Sequence, residues 1–129
     1  MEKGAYIVSD SSEKPKVILI ATGSEVSLIM EAQAKLKEQG IPARVVSMPS
    51  WELFEKQDKA YRESVLPPTI RKRLAVEAAS TFGWDKYVTD EGAVIGMTTF
   101  GESGAIADLM KYFGFTVENV VKKAKELAG

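Results

Sequence analysis

A doubly wound α/β domain is what the sequence predicts, on three observations. Residues 17–21 (Val17, Ile18, Leu19, Ile20, Ala21) are a continuous apolar run, the pattern of a strand covered on both faces in the middle of an α/β sheet. A stretch with Val26, Ile29, Met30, Gln33 and Leu36 at helical spacing follows directly, all of them apolar except Gln33. A second β-prone run, residues 43–47, resumes shortly after Gly40, so strand, helix and strand form one unit whose two strands are parallel.

Ahead of this unit, residues 5–9 are short and β-prone, and the polar stretch 10–16 contains Ser11, Ser12 and Pro15, so an edge strand and a loop are expected. The run 17–21 is then the central strand. Thr22, Gly23, Ser24 and Glu25 turn the chain into the helix, with Ser24 as its cap and Glu25 beside the positive end of the helix dipole. Gly40 is the left-handed stop. Past residues 43–47, Ser50 caps and Glu52 enters a first helical turn, but the polarity of residues 55–59 limits this region to short helices. Pro67 and Pro68 close it, and residues 73–78 read as the next strand. Residues 80–87 are an aromatic-rich connection and 93–97 a further apolar run, which brings the sheet to about five strands. Ile106, Leu109, Met110 and Phe113 predict a helix stopped by Gly114. The last helix is the most sharply patterned, with Val117, Val120, Val121, Ala124 and Leu127 on one stripe. Thr116 caps it, Glu118 sits early, and Lys122, Lys123 and Lys125 sit late, as the dipole favours.

At 129 residues and 45% hydrophobic content the chain reads as a single domain over 1–129, with residues 1–3 as linker or added residues and no room for a second domain. Seventeen Lys and Arg against 18 Asp and Glu leave a net charge of −1, which gathers neither nucleic acid nor anionic lipid, so neither partner is expected. The absence of cysteine removes disulfides, thiol nucleophiles and thiolate metal sites. The absence of histidine removes the commonest acid/base group and metal ligand. The apolar run 17–21 is far shorter than a bilayer span and residues 1–3 open no signal-peptide pattern, so a cytoplasmic location and no membrane are expected.

Few residues remain that could carry chemistry. Gly23 and Ser24 lie between a buried strand and a helix, where backbone N–H groups can hold an anion such as phosphate. A phosphate loop offers more glycines or a lysine, however, and Glu25 sets a negative charge at the same place, which favours ordinary capping. Arg71, Lys72 and Arg73 could meet a phosphate or an acidic neighbour, but a solvated lead-in to a strand is the plainer reading. Glu77 stands near a strand end, where α/β folds gather ligand groups; with no partner to name, a hydrogen-bonded structural carboxylate is favoured. Trp51, Phe54, Phe82, Trp84 and Tyr87 fit subunit-contact anchors and core packing equally well. Ser103 has nothing in view to activate it as a nucleophile and fits a helix start.

Several segments carry a family likeness: Ile20-Ala21-Thr22-Gly23-Ser24-Glu25-Val26 with Glu31-Ala32-Gln33, then Arg44-Val45-Val46-Ser47-Met48-Pro49-Ser50-Trp51-Glu52-Leu53-Phe54 and Tyr61-Arg62-Glu63-Ser64-Val65-Leu66-Pro67. Further ones are Val76-Glu77-Ala78, Phe82-Gly83-Trp84, Phe100-Gly101 and Phe113-Gly114-Phe115-Thr116-Val117-Glu118-Asn119-Val120. In this order and spacing they resemble the carboxy-terminal domain of transketolase of the bacterial type. After Phe100-Gly101 the family usually continues Ala-Ser-Ala-Pro, whereas this chain has Glu102-Ser103-Gly104-Ala105; losing a proline from a first helical turn removes preorganisation but no needed hydrogen bond.

The resemblance implies a three-layer α/β/α domain whose mixed five-stranded sheet has its first strand antiparallel to the rest. It also implies a parent enzyme, a homodimer of the pentose phosphate pathway, that uses thiamine diphosphate and Mg2+ or Ca2+ to move a two-carbon ketol unit from a ketose phosphate to an aldose phosphate. Two preceding domains of that parent supply the chemistry. Their Gly-Asp-Gly diphosphate motif is absent here, and their substrate-contacting histidines have no counterpart in a chain without histidine. No catalytic, cofactor-binding or metal-binding residue carries over, and an inactive isolated domain is expected. A small anionic-effector module, or the same domain of another thiamine-diphosphate enzyme, is the alternative reading.

Overall fold

The computed structural model describes residues 4–11, 14–22, 25–77, 88–89, 91–96 and 116–128. Strands β1 (Tyr6–Ser9), β2 (Val17–Ala21), β3 (Ala43–Ser47), β4 (Arg73–Glu77) and β5 (Ala93–Gly96) form one sheet in the order β1-β3-β2-β4-β5. The four later strands run parallel, and β1 pairs antiparallel with β3 at the edge. The expected mixed sheet is therefore present, with the apolar run 17–21 as its middle strand and every residue of that run buried.

Both faces of the sheet are covered because successive side chains of β2 point to opposite sides and all of them are apolar. Val17, Leu19 and Ala21 face a cluster with α1 (Glu25–Glu38) and with the last described helix, Val117–Ala128, here α4. Ile18 and Ile20 face the opposite cluster, built from α2 (Trp51–Glu55), α3 (Lys59–Val65) and the segment up to Ile70. Three layers result.

Local chemistry sets the element ends much as the residues suggest. Ser50 accepts from Leu53 N at 3.2 Å and Asp58 accepts from Tyr61 N at 2.8 Å, each capping one of the two short helices. Thr116 Oγ1 accepts from Asn119 N at 3.1 Å at the start of α4. The end of α1 is a two-bond stop: Gly40 N donates to Lys37 O at 3.0 Å and Ile41 N to Leu36 O at 2.9 Å, with Gly40 at φ +78. That φ, in otherwise open space, is what calls for glycine there.

The buried stripe of α1 differs from the predicted one. Glu25, Ile29, Ala32 and Leu36 are buried, while Val26 and Met30 lie at the border of the stripe. Ala32 escaped notice because a small side chain gives little apolar signal. Gln33 fits beside the stripe because its amide donates to Ala43 O at 2.9 Å and to Ser9 O at 3.4 Å, tying the helix to the strand ends. The predicted helix over 106–113 and the aromatic connection 80–87 lie outside the described residues.

Candidate functional site

Chain order and spatial order disagree at one place in the sheet. From β2 the chain passes through α1 to β3 on one side, then through α2 and α3 back across to β4 on the other side of β2. Such a reversal leaves a crevice beyond the carboxyl ends of the two diverging strands, the usual ligand position in open α/β sheets. Ala21 pairs with Val76, so by that rule the position falls at the carboxyl ends of β2 and β4, beyond Ala21 and Glu77. Gly23 and Ser24, the candidate anion residues, lie outside the described residues, as do Phe82, Trp84, Tyr87 and Ser103.

The frame of the turn is described. Glu25 N donates to Thr22 O at 3.2 Å, and Glu25 is buried in the first turn of α1. A carboxylate buried there is favourable to the helix dipole and unfavourable to any bound anion. Among the described residues no three acidic groups converge in a way that could hold a metal ion.

The basic cluster divides in two, and Arg73 departs from the solvated lead-in read from the sequence. Its residue is only 6% exposed, and its guanidinium donates to Ile70 O (2.9 Å), Pro67 O (2.9 Å) and Leu66 O (3.2 Å). It fastens the segment after α3 to the start of β4. Burial, and then the neighbouring Arg71 charge, hold the guanidinium below its usual pKa, yet a guanidinium remains protonated in proteins. Sequence gave no sign of this because an inward arginine at a strand start is spelled like an outward one. Arg71 behaves as expected of a surface cation, with Nε 2.8 Å from Glu91 Oε2. Together with Lys14, Lys16 and Lys72 it lines a shallow groove of about 150 Å³ at the amino ends of the strands, the end opposite the crevice.

Arg44 is a second arginine of the same structural type. It holds both carboxylate oxygens of Asp10 at 3.0 and 3.1 Å while donating to Ser64 O and Val65 O at the end of α3. Hydrogen bonding from Arg44 holds the Asp10 carboxyl below the usual aspartate range, against a smaller opposing effect of partial burial.

Phe54, one of the two described candidate interface aromatics, is buried in the α2/α3 cluster, edge-on to Tyr61 with ring centroids 6.5 Å apart. Trp51 packs against the same cluster and is partly buried. For Phe54 the packing alternative holds, because α2 turns this residue toward Ile18, Ile20 and Met48.

No constellation of nucleophile, base and electrophilic support emerges among the described residues. The family profile described as "Transketolase-like TK C-terminal domain" matches residues 4–116. The chain is 58% identical over 125 residues to transketolase 2 of Aliivibrio fischeri and 56% identical to transketolase 1 of Escherichia coli K12, each time over 97% of this chain and 19% of the relative. The transketolase structure from Leishmania mexicana superposes with a TM-score of 0.89 at 43% identity, over 98% of this chain and 18% of that one. The chain thus spans about a fifth of the length of the relatives it matches. It belongs to the transketolase family and corresponds to the carboxy-terminal domain of those enzymes.

Proposed function

We propose that this chain serves as the structural carboxy-terminal domain of a transketolase, packing against two preceding domains and supporting a homodimer, with no turnover of its own. In that protein the preceding domains carry thiamine diphosphate and Mg2+ or Ca2+ and transfer a two-carbon ketol unit from a ketose phosphate to an aldose phosphate, in the cytoplasmic pentose phosphate pathway. The observation that carries the reading is the family match over 4–116 joined to a chain without histidine or cysteine.

Among the described residues no set fits the cofactor. A diphosphate with its divalent ion needs converging oxygen donors. The described residues offer no acidic group of three, and the first turn of α1 carries the buried Glu25. Calorimetric titration of the chain with thiamine diphosphate and magnesium tests this. No saturable heat is expected up to millimolar ligand, and a micromolar isotherm of one-to-one stoichiometry would overturn the reading.

A further inference from the structure

Positive and negative charges nearly balance over the chain, yet positive charge gathers at one end of the sheet. The groove of about 150 Å³ at the amino ends of the strands is lined by Lys14, Lys16, Arg71 and Lys72, with Glu91 as the one carboxylate among its described lining residues. Topology brings these cations together. Ile18 pairs with Arg73 in parallel, and Ile18 N donates to Lys72 O at 3.0 Å, so the segments leading into β2 and β4 run side by side. Lys14 and Lys16 come from one of these segments and Arg71 and Lys72 from the other, on backbones about 5 Å apart. Thr69 adds a hydroxyl to the same lining.

Like charges held this close repel one another unless something offsets them. Glu91 pairs with Arg71, Oε2 to Nε at 2.8 Å, but among the described residues no carboxylate pairs with Lys14, Lys16 or Lys72. Arg73 adds a further positive charge nearby: its guanidinium donates to the carbonyl of Ile70, a lining residue, and after burial it is the Arg71 charge that lowers its pKa. A concave surface of one sign concentrates ions of the other. The wall that bears Glu91 is also set in advance. Thr89 Oγ1 donates to Arg71 O at 2.7 Å and accepts from Glu91 N at 3.2 Å, and Thr89 holds the one positive φ of a non-glycine among the described residues, +69. Gly92 closes this turn, where a Cβ would overlap Val88 O and Arg73 O. Such preorganisation lowers the cost of binding.

Size and charge narrow the occupant. Pockets for drug-sized molecules run from about 300 to 1,000 Å³, so a groove of about 150 Å³ suits a compact group. Cations on two adjacent segments suit two linked anionic groups better than one, because each can meet its own pair.

We propose that the groove between the segments leading into β2 and β4 binds a bare diphosphate group, with Lys14 and Lys16 on one side of it and Arg71 and Lys72 on the other. The magnesium complex of thiamine diphosphate carries the charge of its metal and of its thiazolium ring, so the same field gives it little. The site is separate from the packing role proposed for the chain and stands or falls without it.

Calorimetric titration of the 129-residue chain with sodium diphosphate, at low salt and without magnesium, tests the site. One-to-one binding with a Kd below about 1 mM is expected, weakened by added sodium chloride. Inorganic phosphate should bind at least about tenfold more weakly. Lys16→Gln and Lys72→Gln should each weaken diphosphate binding about threefold, while Lys35→Gln, on the exposed side of α1, should leave it unchanged. Glu91→Gln should tighten binding about threefold, since it removes the lining carboxylate and keeps an acceptor for Arg71; damage to the fold cannot produce that gain. Adenosine diphosphate without magnesium identifies the source of the group: equal affinity assigns it to a larger molecule, weaker affinity to free diphosphate. Absence of saturation up to about 10 mM diphosphate, or an equal loss in Lys35→Gln, overturns the site. Phosphate binding as tight as that of diphosphate overturns the two-sided arrangement, and tighter binding with excess magnesium overturns the preference for a bare anion.

Discussion

Replacing Arg73 by methionine should be among the most damaging single changes outside the apolar core. Methionine keeps the length and apolar stem of the side chain, so the loss is mainly that of the fork. Three backbone carbonyls, those of Leu66, Pro67 and Ile70, lose their charged donor at a position only 6% exposed. A hydrogen bond to a charged group contributes about 1.5–3 kcal/mol, and part of the loss is recovered where water reaches the freed carbonyls, so the total is about 3–5 kcal/mol. A domain of this size has about 5–15 kcal/mol in all. With a urea slope of about 2 kcal/mol per molar, the midpoint should fall by about 1.5–2.5 M. Arg73→Lys should fall between, because an ammonium cannot reach three carbonyls spread over a planar fork. Urea unfolding followed by far-ultraviolet circular dichroism reads both variants. A loss below about 1 kcal/mol for Arg73→Met, the size of one ordinary hydrogen bond, would refute the anchoring role.

Other perturbations test the frame elsewhere. Gly40→Ala forces a Cβ into φ +78 with nothing around it to clash, so thermal unfolding should show only the backbone strain, about 1–2 kcal/mol. Tyr61→Phe removes the 2.7 Å bond to Ala5 O and should lower stability by about 1 kcal/mol in denaturant titration, with the Phe54 contact kept. The Asp10 carboxyl is depressed by Arg44, so its contribution is complete above the usual aspartate range and vanishes as pH falls through the folded-state value. The melting-temperature gap between the natural chain and Asp10→Asn should therefore be small but present at neutral pH and close in strong acid; a gap that widens in acid would contradict the assigned sign. The pair is partly exposed, so added salt should narrow the gap at neutral pH as well.

Most of the frame was legible because its signals are local. The run 17–21 can hardly be anything but an interior strand, Gly40 sits where a left-handed stop is needed, and Ser50 and Thr116 stand one residue before their helices. What sequence missed depends on direction rather than composition. Arg73 and Arg71 are spelled alike, yet one points into the segment after α3 and the other toward Glu91. Phe54 has the same chemistry as an interface anchor, and only the placement of α2 over Ile18 and Ile20 makes it core. The exposure of Tyr6 and Val8 was hidden for the converse reason, since both read as ordinary strand residues until the edge position of β1 is known.

The proposed role puts the ketol-transfer chemistry outside this chain. Ketol transfer by the purified 129-residue chain, supplied with thiamine diphosphate, magnesium, a ketose phosphate and an aldose phosphate, tests it most directly, with a complete transketolase as the positive control. No product above the protein-free background is expected at any substrate concentration. Saturable turnover that scales with the amount of chain and depends on thiamine diphosphate would contradict it.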